Sequence, residues 1–190
     1  MIASFFQRLM EWTNRLALGS ALAGGLVLLL LVLLTVLSIL GRELAALSFL
    51  SDLVGPIPGD YELIELGMGF AIFAFLPWAH WTNGHASVDL LKPYFGRLLN
   101  RLAEIARDLL MFIIAVLFMR QLWLGMLDKQ SYDETSFILQ IPLWWGYAAA
   151  SAGAALFTLI ALIKLSVTCF GTQADAPTET AEPDVPGGGI

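Results

Sequence analysis

The feature that most constrains this chain is a long apolar stretch with polar residues at both of its ends. Residues 61–81 contain no charged residue after Glu65, and as a helix they would extend roughly 31 Å at about 1.5 Å per residue. That length matches the hydrocarbon core of a bilayer, which is about 30 Å thick. Asp60 and Glu62 stand at the start of the stretch, and a turn containing histidine follows its end. The stretch therefore predicts a transmembrane helix with acids at one end and a polar turn at the other.

The composition of the whole chain agrees with a membrane protein. Of the 190 residues, 58% are hydrophobic and only 14% are charged, whereas a soluble domain carries about 25% charged residues. We therefore expect an all-α integral membrane protein with four transmembrane helices and short amphipathic interfacial helices. The predicted membrane domain covers residues 16–170, and its spans are residues 16–40, 61–81, 105–127 and 142–163.

The segments outside these spans are expected to lie on the membrane surface or in solution. Residues 1–15 place large apolar side chains at helical spacing, so they form either an interfacial segment or a plain extension of the first span. Residues 43–54 and 89–102 are predicted to form short amphipathic helices on the membrane. Residues 171–190 contain four acids and no basic residue, and we expect a disordered acidic tail there.

The distribution of lysine and arginine predicts which side of the membrane is cytoplasmic. With four spans, seven of the ten basic residues fall on one side and three on the other, and the more basic side is normally cytoplasmic. Both termini and the loop between the second and third spans are therefore expected in the cytoplasm. The seven are Arg8, Arg15, Lys92, Arg97, Arg101, Arg107 and Lys164, and the three are Arg42, Arg120 and Lys129.

Glu62 and Glu65, near the outer end of the second span, are candidates for a functional role. Asp60 is expected to cap the helix, and a first-turn acid such as Glu62 complements the helix dipole, which accounts for Glu62 without any further function. Glu65 lies one turn deeper, where a charge is harder to solvate, so we expect it to have a partner. Arg42 and Arg120 are the candidate partners on that side. Two carboxylates alone do not make a sodium site.

The only two histidines, His80 and His85, raise the question of a haem or metal site. Membrane cytochromes hold haem between histidines of separate helices, whereas these two lie within one short segment. No cysteine and histidine spacing fits zinc either, and the single cysteine excludes an intrachain disulfide. We therefore expect no cofactor. His85 is instead expected to satisfy backbone groups in its turn, and Asp89 to cap the following helix.

The remaining charges give no sign of catalysis. Glu104, Arg107 and Asp108 stand together near the inner end of the third span, where Glu104 and Arg107 can pair within the helix. No nucleophile with an adjacent base, phosphate loop or other catalytic motif is present, so we do not expect an enzyme. The net charge of −6 gives no support for a nucleic acid partner.

Several short motifs, taken together, resemble the small membrane subunit (DctQ-like) of tripartite ATP-independent periplasmic (TRAP) transporters. The first motif is GDYEL at residues 59–63, before a span that ends near Leu76 and Pro77. The second is Gly84-His85 followed by Val88-Asp89, although Ala86 stands where the family often has valine or isoleucine. The third is Thr135 followed by LQIPLW at residues 139–144. The family-typical positions are Glu62, Gly84, His85, Asp89, Thr135 and Pro142.

This resemblance implies a supporting role in transport across the bacterial inner membrane. In such systems a periplasmic substrate-binding protein captures an organic anion, and a large subunit, here a separate chain, moves it with a sodium gradient. The small subunit braces the large one and helps the binding protein to dock, so its expected partners are those two proteins and membrane lipids. The chain also lacks the paired discontinuous helices expected of a self-sufficient transporter.

Two other functions remain open from the sequence. The first is a membrane anchor subunit of a redox enzyme with histidine-ligated haem. The second is a small transporter that acts alone. The sequence does not identify the transported substrate.

Overall fold

Four long helices make up most of the chain that the structure, a computed structural model, describes. The described residues are 2–46, 55–84 and 96–170. Within them there is no strand, and only an isolated bridge joins Thr135 to Pro142. The all-α membrane architecture predicted from the sequence is confirmed. The helices are α1 (Ile2–Ala45), α2 (Asp60–Trp81), α3 (Arg97–Ser131) and α4 (Trp144–Phe170).

Several sequence predictions fall wholly or partly outside the described residues. His85, Asp89 and the acidic tail at residues 171–190 all lie outside them. The two predicted interfacial helices are described only in part, because residues 43–45 belong to the end of α1 and residues 97–102 to the start of α3.

Three helices in the described part of the chain are long and apolar enough to cross a membrane. They are Arg8–Ala45, Asp60–Trp81 and Trp144–Cys169. The helix α3 is not among them, and it carries Arg107 and Asp108 near its start and Arg120 farther on. Between these charges α3 exposes large apolar side chains, as a helix in lipid would. Because α3 is not among the three helices that are long and apolar enough, the span at residues 105–127 stays a prediction. The exposed apolar side chains of α3 are Leu109, Leu110, Ile113, Val116, Leu117 and Phe118.

The first helix is much longer than a bilayer requires. It runs unbroken over 44 residues, which corresponds to about 66 Å at about 1.5 Å per residue. The N-terminal stretch and the first span are therefore one continuous element. The predicted boundary between residues 15 and 16 does not interrupt the helix.

The four helices lie in a row in the order α1, α2, α4, α3. The helix α2 packs between α1 and α4, and α3 packs against the other side of α4. An edge-to-face contact between Phe73 and Phe118, with ring centroids 5.7 Å apart, adds a link from α2 to α3. Because α1 packs mainly on α2, most of its surface is left for lipid or for another protein.

Close helix contacts depend on glycines at specific positions. A Cβ added at Gly24 would lie 2.9 Å from the Cβ of Ala74, so α1 and α2 approach each other closely there. A Cβ added at Gly153 would lie 2.9 Å from the carbonyl oxygen of Phe73. Pro77 lacks the N–H that would otherwise bond this carbonyl within α2, and the glycine lets α4 come up against it. Small residues at helix contacts are typical of membrane bundles.

Candidate functional site

The turn that begins α2 contacts two other parts of the chain, namely α1 and the loop between α3 and α4. Gly59 adopts a left-handed φ of 78°, and a Cβ there would lie 2.4 Å from Cγ of Leu139, so only glycine fits. The carboxylate of Asp60 accepts a hydrogen bond from the hydroxyl of Ser38, at 2.6 Å. The N-cap residue is Gly59 rather than Asp60, and no side chain bonds at the cap position. The other carboxylate oxygen of Asp60 accepts a hydrogen bond from the N–H of Tyr61 in the first turn, at 2.9 Å, so Asp60 both satisfies a first-turn N–H and links α1 to α2.

Glu62 anchors a loop that is far away in the sequence. One oxygen of its carboxylate accepts a hydrogen bond from the backbone N–H of Ile138 at 2.7 Å, and the other accepts one from the N–H of Leu139 at 2.8 Å. Hydrogen bonds to an ionised carboxylate are stronger than those between neutral groups. Glu62 thus fixes the position of the loop between α3 and α4 relative to the start of α2.

The loop of residues 132–143 has its own internal hydrogen bonds. The N–H of Ser136 donates to the carbonyl of Ile141 at 2.9 Å, and the N–H of Leu143 donates to the carbonyl of Glu134 at 3.0 Å. The N–H of Ile141 also donates to the hydroxyl of Ser136 at 3.1 Å. Gln140 adopts a positive φ of 55°, which lets the chain reverse direction. The two family-typical positions in the loop, Thr135 and Pro142, face each other across this small hairpin.

Two large apolar side chains stand exposed at the tip of this hairpin. Phe137 is 97% exposed and Ile138 is 62% exposed. The backbone that carries them is fixed by Glu62 and by the internal bonds of the hairpin, so they are held outward by rigid structure. We call Phe137 and Ile138 the apolar tip. Exposed apolar groups on a fixed backbone are typical of protein contact surfaces.

At the opposite end of the bundle, the side chain of Lys164 on α4 forms hydrogen bonds at the carboxyl end of α2. Its ammonium donates to the carbonyl of His80 and to the side-chain oxygen of Asn83, at 2.7 Å. A lysine at the carboxyl end of a helix satisfies free carbonyls and complements the dipole. Gly84 follows directly, with its N–H donating to the carbonyl of Ala79 at 2.8 Å. Near this end His80 is buried, with its ring edge-to-face on Phe157.

Asp108 links α3 to α4 at the same end. It is fully buried and accepts hydrogen bonds from the hydroxyl of Thr168 at 2.7 Å and from Nε of Arg107 at 3.0 Å. The expected pair of Glu104 with Arg107 is not among the ion pairs of the described residues, and Arg107 pairs with Asp108 instead. No feature of the sequence indicates that Thr168, sixty positions away, donates a hydrogen bond to Asp108.

The partners expected for Glu65 are not observed in the described part of the chain. The ion pairs of the described residues are Arg107 with Asp108 and Lys129 with Glu134. Neither Arg42 nor Arg120 is therefore paired with Glu65 there. Glu65 instead lines a groove that also contains Lys129. The ammonium of Lys129 lies 2.5 Å from the carboxylate of Glu134, and this hydrogen bond raises the pKa of Lys129.

Within the residues that the structure covers, no three side chains of histidine, cysteine, aspartate or glutamate are grouped so that they could hold a metal ion. His80, the histidine that is described, packs among the helices against Phe157.

Comparison with known protein families gives one match. A family described as the DctQ component of tripartite ATP-independent periplasmic transporters matches residues 31–168. The matched range contains the turn of Gly59 to Glu62, the hairpin with the apolar tip and the Lys164 contacts. No curated protein and no solved structure shows significant similarity to the chain.

Proposed function

We propose a scaffolding and docking role for this chain, which belongs to the DctQ component family of tripartite ATP-independent periplasmic transporters. In this role it is the small membrane subunit that braces the large sodium-coupled permease subunit and helps a periplasmic substrate-binding protein to dock during uptake of an organic anion. It acts by contact and contributes no catalytic residue. Family membership favours this transporter role over a redox-enzyme anchor.

The observation that carries the docking role is the bond between Glu62 and the hairpin. Both carboxylate oxygens hold backbone N–H groups of the hairpin, at 2.7 and 2.8 Å, and beside them Phe137 is almost fully exposed. The excess of basic residues elsewhere favours an orientation with this end in the periplasm. In that orientation the apolar tip faces the compartment of the binding protein. Because the backbone that carries Phe137 is already ordered, little backbone entropy is lost when a partner covers its side chain.

The scaffolding role rests on the long first helix. It packs mainly on α2, and the rest of its surface presents a stripe of large apolar side chains that repeats every three or four residues. A large membrane subunit can pack along such a stripe over the whole thickness of the bilayer. The stripe is Leu22, Leu26, Leu29, Leu33, Leu37 and Leu40, all exposed.

The docking role predicts that Phe137→Ala weakens binding of the substrate-binding protein. We expect about a tenfold loss of affinity, because a central aromatic side chain contributes more than most other contact residues. The measurement is titration of the substrate-loaded binding protein onto the purified complex of both membrane subunits in lipid nanodiscs. Uptake by the same complex in liposomes should fall in parallel at low concentrations of binding protein.

Trp12→Ala is the matched control for this experiment. Trp12 is another exposed aromatic residue, 65% exposed, but it lies near the start of α1, away from the hairpin. The variant should bind the substrate-binding protein like the unchanged complex. Unchanged affinity in Phe137→Ala, with the complex intact, would contradict the docking role.

A further inference from the structure

A groove between α2, α3 and α4 has a polar end and an apolar end. Its volume is about 390 Å³, which lies within the range of small-molecule sites, roughly 300–1,000 Å³. Glu65 and Lys129 line it near the hairpin, and Phe73 and Leu122 line it farther along the helices. Glu65 and Phe73 are eight residues apart on α2, so the polar and apolar ends of the groove are about 12 Å apart.

The polar end carries one carboxylate without a partner. In the portion of the chain that the structure covers, no hydrogen bond or ion pair reaches Glu65, although Glu65 lies within the membrane-spanning helix Asp60–Trp81. An unpaired charge in such a position is unfavourable, so it normally faces water or an opposite charge. Lys129 shares one N–H with Glu134, and an ammonium has three. The groove is therefore lined both by an acceptor and by donors.

The apolar end has room for a hydrocarbon chain. A Cβ added at Gly69, which lies on α2 between Glu65 and Phe73, would meet nothing within 4 Å. Leu66 and Ala150 complete the wall at this depth. The opening is therefore not closed by neighbouring side chains of the described residues, and its wall is hydrocarbon.

We propose that this groove binds a phospholipid whose zwitterionic headgroup carries a primary ammonium, such as phosphatidylethanolamine. The ammonium of the headgroup donates to Glu65, the phosphate accepts from Lys129, and one acyl chain follows Gly69 toward Phe73. A headgroup with a quaternary ammonium has no N–H to donate to Glu65. A purely anionic headgroup would satisfy Lys129 and leave Glu65 facing a like charge. The inference does not depend on the transporter role, since it uses only these side chains.

The test is native mass spectrometry of the full-length chain, purified in detergent and freed of bound lipid. The protein is titrated with phosphatidylethanolamine, phosphatidylcholine and phosphatidylglycerol of identical acyl chains. We expect phosphatidylethanolamine to bind most tightly, because it alone has both an N–H donor and a phosphate. In Glu65→Gln the affinity for phosphatidylethanolamine should fall roughly threefold to tenfold, because glutamine keeps one carbonyl acceptor but the hydrogen bond is no longer charge-assisted. Asp133→Asn removes an exposed acid outside the groove, at a positive φ that asparagine also adopts, and should leave the affinity unchanged.

A second pair of variants tests the apolar end. The Cβ of Gly69→Leu would meet no atom within 4 Å, so we expect the helix to be retained while the leucine fills the opening and binding of phosphatidylethanolamine is lost. Gly25→Leu adds the same side chain at an equally open position on α1 and should have no effect. The proposal is overturned if phosphatidylcholine or phosphatidylglycerol binds as tightly as phosphatidylethanolamine. It is also overturned if both Glu65→Gln and Gly69→Leu bind phosphatidylethanolamine like the unchanged chain.

Discussion

At the scale of single residues, a few side chains determine how distant parts of the chain meet. Glu62 holds two backbone N–H groups of the hairpin, Asp60 holds a hydroxyl of α1, and Asp108 holds a hydroxyl of α4. Each acid on one helix thus fixes the position of another segment. A buried or partly buried donor left without its acceptor is unfavourable, so each of these links is sensitive to substitution.

Glu62→Gln should loosen the hairpin without unfolding the helices. Glutamine retains one carbonyl oxygen, so only one of the two N–H groups can keep a good acceptor, and the bond that remains is no longer charge-assisted. We expect hydrogen exchange at the amides of Ile138 and Leu139 to become about tenfold faster, while the centres of α2 and α4 keep their protection. The measurement is hydrogen–deuterium exchange with mass spectrometry in detergent.

Asp133→Asn provides the comparison for that experiment. Asp133 lies in the same loop and is exposed, but no hydrogen bond of its side chain holds the hairpin tip in the described structure. Exchange at Ile138 and Leu139 should stay at the unchanged rate in this variant. If Glu62→Gln and Asp133→Asn exchange equally slowly, then Glu62 does not anchor the hairpin.

The partners of Glu62 in the hairpin could not be predicted from the sequence. The acids of the GDYE turn could be identified from their position at the start of an apolar span, and the spacing favoured a local role in capping. The structure gives Glu62 partners 76 and 77 positions away. Nothing local to Ile138 or Leu139 signals this, because the bonds use backbone N–H groups that every residue except proline carries.

At the scale of helices, apolar length was a good predictor and charge partners were not. The spans expected at residues 61–81 and 142–163 correspond to α2 and α4, since long runs without charge have few alternatives to a helix in lipid. The end of α3 was less clear from the sequence. The helix continues to Ser131, beyond the predicted end at residue 127. Lys129 therefore lies in the last helical turn, where it lines the groove with Glu65.

Adjacent glycines on α1 allow a direct test of the packing between α1 and α2. Gly24→Leu should destabilise the bundle, because even its Cβ would lie 2.9 Å from the Cβ of Ala74 and 3.3 Å from the carbonyl oxygen of Ala71. Overpacking of this kind typically costs about 1–3 kcal/mol. The measurement is the midpoint of thermal unfolding of the purified chain in detergent, followed by circular dichroism.

Gly25→Leu is the natural reference for Gly24→Leu. A Cβ added at Gly25 would meet no atom within 4 Å, and leucine is a better helix former than glycine. Its unfolding midpoint should equal or exceed that of the unchanged chain. A lower midpoint for Gly25→Leu than for Gly24→Leu would mean that α1 meets α2 through a different face.

At the scale of the whole molecule, the row of four helices fits the supporting role that we propose. The helix α1 at one edge of the row exposes a long apolar stripe. The turn, the hairpin and the apolar tip lie together at one end, and Lys164 and Asp108 join the helices at the other. A fixed frame with contact surfaces at its edge and at one end suits a subunit that holds other proteins in place.

The most direct test of this account is purification of the tagged full-length chain from its native membrane in mild detergent, with mass spectrometry of the proteins that remain bound. We predict recovery of the large TRAP permease subunit in a one-to-one ratio, and further recovery of the substrate-binding protein when its substrate is added. The binding protein should be lost selectively in Phe137→Ala while the large subunit is retained. Recovery of the chain alone, or with a haem- or flavin-containing protein in place of the large subunit, would contradict the account.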